Sequence, residues 1–143
     1  MTAVAIACPV TFPVLRVKLI SAPTGPNFDF GVHLTVTSEW KYHKWGGILD
    51  KAKTPSLHNS VNNFYWNKRK FVKNADLNEI KMELQAQLSL AKSMGLKPSH
   101  IDSHEGALFF DPNIFKIYID LAIENDLLAF VPIEASMHFN GKL

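Results

Sequence analysis

The segment Ser99-His100-Ile101-Asp102-Ser103-His104 places His100, Asp102 and His104 at alternate positions. On an extended strand, positions i, i+2 and i+4 share one face, so two imidazoles and a carboxylate stand in a row. Those are donors that a Zn²⁺-type ion takes, with one coordination position left open for a water to be activated. His33 lies in the middle of Phe-Gly-Val-His-Leu-Thr-Val, a run of β-formers at residues 30–36. Alone, His33 reads as a hydrogen-bonded core histidine; beside a neighbouring His-x-Asp-x-His strand it reads as a further metal donor. Glu39 and Glu105 follow the strand histidines and could act as acid, base or supporting groups, or simply be solvated. Tyr65 and Trp66 offer ring faces on which a sugar could stack or around which a loop could pack.

The elements that must position these residues alternate along the chain. Residues 2–7 form a short apolar strand stopped by Pro9. After the breaks at Pro23, Gly25 and Pro26, residues 30–36 form the second strand. Residues 38–73 hold Trp40, Tyr42, Trp45, Phe64, Tyr65, Trp66 and Phe71 without a period of 2 or 3.6, and are expected to be a long functional loop. Asp76, with Glu79 three residues on, predicts a capping box for a helix whose apolar stripe is Leu77, Ile80, Leu84, Leu88 and Ala91 and whose end is Gly95. Residues 99–104 predict a third strand. Asp111 followed by Pro112 predicts a helix to about residue 125 with Ile114, Ile117, Tyr118 and Leu121 inward, and residues 127–133 a further strand. The class is α/β with mostly parallel strands, in which ligand sites gather at the strands' carboxyl ends.

Composition narrows the choices. The chain has 143 residues, expected to make a single domain over 1–143, with 47% apolar and 20% charged residues, an ordinary globular balance. A net charge of +2 gives no general attraction for nucleic acid or anionic membrane, and neither partner is expected. Lys41, Lys44, Lys51, Lys53, Lys68, Arg69, Lys70 and Lys73 crowd one stretch with only Asp50 against them, which reads as a solvated basic loop. The single cysteine, Cys8, reads as a buried thiol, and His43, His58 and His138 as surface histidines. No apolar run approaches the roughly 20 residues of a membrane span, and residues 1–15 lack the basic start of a signal peptide. A cytoplasmic setting is expected.

Gly-Val-His-Leu-Thr-Val-Thr at residues 31–37, followed after the insertion by Lys-Pro-Ser-His-Ile-Asp-Ser-His at 97–104, resembles the YdjC-like carbohydrate deacetylase family. The resemblance takes in Ala5 to Pro9, the aromatic motif Phe64 to Trp66 and the helix from Asp76 to Met94, and covers about residues 2–133. It implies a (β/α) barrel of the glycoside hydrolase/deacetylase type, here partial, that removes N-acetyl groups from amino sugars or chitooligosaccharides with a divalent metal, Mg²⁺ or Zn²⁺. It implies His33 and His104 as metal ligands. Asp102 is the nearest carboxylate that could activate water, though the family picture has it orient a histidine. Tyr65, Trp66 and Glu105 become candidate contacts to the acetylated amino sugar or oligosaccharide. The family's opening strand, ending in Asp-Asp-x-Gly and supplying a third ligand and a base, has no counterpart here, and residues 105–108 replace further histidines with Glu-Gly-Ala-Leu. The chain is expected to be truncated and weakly active or inactive as a deacetylase, and its incomplete barrel, with two open edges, to associate as a homo-oligomer. The alternative is a non-catalytic α/β remnant that binds a sugar or metal and oligomerises.

Overall fold

The computed structural model describes residues 3–7 and 29–133. Four strands, β1 (Ala3–Ala7), β2 (Asp29–Leu34), β3 (His100–Ser103) and β4 (Leu128–Ala129), form one small sheet in the order β1-β2-β3-β4. Every pair is parallel. The β2–β3 register sets Gly31 beside His100, Val32 beside Ile101 and His33 beside Asp102. The class is α/β as expected, with strands following chain order; among the described residues the sheet does not close into a barrel. Cys8, Pro9, Pro23, Gly25, Pro26 and His138 lie outside the described residues.

Among the described residues the α-helices are α1 (Lys68–Asn74), α2 (Leu77–Ser93) and α3 (Pro112–Glu124). Asp76 caps α2 by accepting hydrogen bonds from the Asn78 and Glu79 amides. The reciprocal half of the expected capping box is relayed through another residue. Glu79 accepts from the Ser56 amide and hydroxyl, and the Ser56 hydroxyl oxygen in turn accepts from the Asp76 amide. The helix start is thereby tied to the turn Pro55–Leu57. At the other end Gly95 adopts φ +87°, and the Leu96 amide donates back to the Ala91 carbonyl, closing the helix where expected. Asp111 caps α3 in the same way, with Pro112 in the first turn, where its missing N–H costs nothing.

The helices bury the predicted faces against the sheet. Ile80, Leu84 and Leu88 of α2 and Ile114, Tyr118 and Leu121 of α3 join Val32, Leu34 and Ile101 in one core. Each such side chain contributes about 1.5–3 kcal/mol by leaving water. Leu77, expected in the stripe, is exposed: it is the first residue of α2 and lies beyond the core's edge. The Tyr118 hydroxyl lies 2.8 Å from the Ile101 carbonyl and 2.9 Å from the Phe130 carbonyl and shares its proton between them, pinning β3 to the chain beyond β4. Burial, and after it the charge of Asp102, push this phenol above its ordinary pKa of 10, so it stays a donor. The last strand is much shorter than the 127–133 expected, and Leu128 and Phe130 are exposed on an edge with no partner among the described residues.

The insertion departs most from expectation. It is not a solvated loop: Trp45, Leu57, Phe64 and Phe71 are core residues, and α1 forms within it, capped by Asn67. Three of its lysines are committed to backbone carbonyls, Lys44 to Ser38, Lys51 to Asn59 and Lys68 to Glu105. His58 is a buried structural residue rather than a surface one. Its Nδ1–H donates to the Thr54 carbonyl at 2.8 Å, its Nε2 accepts from the Gly47 amide, and its ring stacks on Phe64.

Glu83 of α2 fastens this insertion to the scaffold. Fully buried, its carboxylate accepts from the Ile48 amide (2.8 Å), the Leu49 amide (2.9 Å) and Gln87 Nε2 (2.8 Å). Gln87 then brackets Thr35 just past β2, donating to its carbonyl and accepting from its amide. A Cβ on Gly47 would come within 2.5 Å of Glu83 Oε2, so the close approach of the loop requires glycine there.

Glu83→Gln exchanges one acceptor oxygen for a donor that would face a backbone N–H, at a cost of about 1–3 kcal/mol measurable from urea midpoints at pH 7. Desolvation raises the Glu83 pKa above 4.5, despite its hydrogen bonds, so folding takes up a proton there. Its contribution to stability is therefore full below pH 4.5 and falls as pH rises through the raised folded value. The Gln variant should lack that part of the stability–pH slope.

Candidate functional site

The carboxyl ends of β2 and β3 bring three of the sequence's candidates together. His33 is the penultimate residue of β2, Asp102 stands beside it in register, and His104 follows the end of β3. His33 Nδ1 lies 2.8 and 2.9 Å from the two Asp102 oxygens. A carboxylate can only accept, so Nδ1 carries the proton and Nε2 presents its lone pair. That Nε2 faces His104 Nδ1 at 3.0 Å, the rings edge-on with centroids 5.1 Å apart. On the far side His104 Nε2 lies 2.9 Å from Glu39 Oε2. The four side chains form one line, Asp102–His33–His104–Glu39, each about one-fifth to one-third exposed.

Local backbone explains why His104 leaves the strand's row. The chain turns tightly at His104–Phe109, with Glu105 (φ 51°) and Gly106 (φ 65°) left-handed in succession. Such a conformation is uncommon for a non-glycine residue and recurs where a site over-determines the backbone. Ser103 Oγ accepts the Leu108 amide and Lys68 Nζ donates to the Glu105 carbonyl, holding the turn from both sides.

Two imidazole lone pairs 3.0 Å apart repel unless a proton or a cation lies between them. Zn–N distances of about 2.0–2.1 Å put two nitrogens on a shared ion roughly 3–3.4 Å apart, so the observed spacing fits one divalent ion. Each ring is also backed on its outer nitrogen by a carboxylate, the usual support of a metal-bound imidazole. Glu39, His104 and Glu105 form a second grouping, with donor atoms within 4.8 Å of one another.

Other candidates are placed differently. His100 shares the face of Asp102 but lies toward the start of β3, near Ser99 and Asp29, with its ring over Gly31. Tyr65 is partly buried and packs against the core. Trp66 is exposed, with Lys70 Nζ 5.9 Å from its ring centroid. The ring that reaches the histidines is Trp45, buried, 6.2 Å from His104 and T-shaped to the exposed Trp40. Sequence reasoning missed Trp45 because nothing in residues 38–45 indicates that the chain folds back over a strand end. Glu39 was visible only as a carboxylate near a strand end; its partner is 65 residues away.

The family described as YdjC-like protein matches residues 7–141. A carbohydrate deacetylase of Thermus thermophilus is 31% identical over 104 residues, 73% of this chain and 38% of that protein. A carbohydrate deacetylase of Enterococcus faecalis is 35% identical over 85 residues, 59% of this chain and 29% of that protein. A solved E. faecalis structure, of a protein named for cellobiose-phosphate cleavage, superposes with a TM-score of 0.68 at 26% identity, covering 81% of this chain and 44% of that one. The chain thus spans less than half the length of these relatives.

The Gly31–His100 approach gives a test of the β2–β3 register. A methyl at position 31 would fall inside the His100 ring, so Gly31→Ala should destabilise the fold by about 1–3 kcal/mol. In a His100→Ala background that cost should largely vanish, a coupling readable by a double-mutant cycle of unfolding free energies.

Proposed function

The chain belongs to the YdjC-like family, and from that premise we propose that it is a carbohydrate deacetylase domain whose divalent ion is held by His33 Nε2 and His104 Nδ1. The observation that carries the reading is the facing pair of imidazole nitrogens, 3.0 Å apart at the carboxyl ends of adjacent parallel strands. The names of the two curated relatives support the reaction class. The substrate class is an acetylated amino sugar or oligosaccharide, the ion Zn²⁺ or Mg²⁺.

When bound, such an ion polarises the amide carbonyl and acidifies a water. The protein's own contribution is orientation. Asp102 is an orienting group rather than the base, because both its oxygens are engaged by His33 Nδ1–H, which fixes the ring's tautomer and aim. Trp45 walls His104 and excludes water from that side, and Trp40 beside it offers an exposed ring at the rim for a pyranose face. The sequential parallel order supports reading the sheet as an arc of a (β/α) barrel. The exposed β4 edge at Leu128 and Phe130 is then where further strands pair, from a longer chain or a second copy.

Zinc titration by calorimetry tests the site directly. Tight binding in the wild type should fall by about 100-fold or more in His33→Ala and His104→Ala, and zinc-loaded protein should release acetate from N-acetylated chitooligosaccharides. Unchanged binding in both variants would overturn the reading. Zinc bound through both histidines without acetate release would instead support a non-catalytic binding module.

A further inference from the structure

His104 has a donor atom on each side, and an ion can use only one of them without turning the ring. Nδ1 faces His33 Nε2 at 3.0 Å, while Nε2 faces Glu39 Oε2 at 2.9 Å with Glu105 nearby. The two sides are chemically unlike. The inner side offers a second neutral nitrogen, which would leave two lone pairs opposed without an ion. The outer side offers a carboxylate, which needs only an N–H to be satisfied.

We propose that Glu39 is the positioning residue for His104: by accepting Nε2–H it fixes the tautomer that turns Nδ1 toward His33, as Asp102 does for His33 from the other end. This rests on the His33–His104 metal reading and assigns a role to a residue outside that pair. Glu39 suits the task because it is held independently of the histidines. It follows Ser38, whose amide donates to the Tyr65 carbonyl and whose hydroxyl oxygen accepts from the Trp45 amide, so the insertion that walls the site also sets this carboxylate. His104 and Glu39 are 20% and 24% exposed, shielded enough for the hydrogen bond to hold its geometry. The neighbouring Glu105 differs, since it is exposed and is itself the first left-handed residue of the turn.

The experiment compares Zn²⁺ affinity in wild type, Glu39→Gln, Glu39→Ala, Glu105→Gln and His33→Ala, with urea unfolding to confirm equal folding. Imidazole ¹H–¹⁵N correlation spectra report which His104 nitrogen carries the proton. Loss of such a supporting partner typically costs about 10–100-fold in metal affinity. The expected result is about 10-fold for Glu39→Gln, up to about 100-fold for Glu39→Ala, less than twofold for Glu105→Gln, and a wild-type His104 protonated at Nε2 that becomes a tautomer mixture in Glu39→Ala. Wild-type affinity and an unchanged tautomer in both Glu39 variants, with binding still lost in His33→Ala, would overturn the role of Glu39 and leave the histidine pair standing. Equal losses in Glu39→Gln and Glu105→Gln with normal binding in His33→Ala would place the ion on the outer side and overturn both.

Discussion

In the register that sets His33 beside Asp102, a parallel ladder only four residues long determines which side chains meet at the carboxyl ends of β2 and β3. Side chains alternate across a strand, so a slip of one residue would send His33 into the core and bring Val32 or Leu34 to the ligand face. The register is protected at three points. Gly31 accommodates the His100 ring, Ile101 and Val32 face the core, and Tyr118 grips the Ile101 carbonyl from α3. The histidine line is thus a product of packing well away from it.

A second constraint acts through α2. Glu83 and Gln87, one turn apart, reach both the insertion and the backbone just beyond β2. A buried carboxylate is costly, and here three hydrogen bonds offset part of the cost while making one helix the reference for two otherwise separate segments. Trp45 and Glu39 can therefore bear on His104 although they belong to chain without regular structure.

Much of this was legible in the sequence for identifiable reasons. The helices α2 and α3 announce themselves through Asp caps, a one-sided apolar period and the Gly95 stop, and the strand bearing Asp102 through alternation. What escaped was non-local. The helix α1 is seven residues long, with a Lys-Arg-Lys first turn that works against the helix dipole, and it is held by the burial of Phe71 and the Asn67 cap. Glu83 looks like any solvated helical glutamate until the insertion lies over it. His58 looked exposed because its partners are backbone groups, which leave no trace in residue identity. Likewise the pairing of Glu39 with His104 depends on where a loop returns, which local propensity does not encode.

Besides its core residues, the insertion is tied to α2 at Ile48 and Leu49 by Glu83 and at Ser56 by Glu79, and within it His58 and Phe64 form an isolated bridge. Between those last two residues the chain closes on itself, with the Asn59 amide donating to the Asn63 carbonyl, Asn62 left-handed and Val61 exposed. This small tip holds none of the side chains in the line Asp102–His33–His104–Glu39. It is where evolution or an engineer can lengthen the chain, or graft a new recognition surface, at little expense to the chemistry beneath.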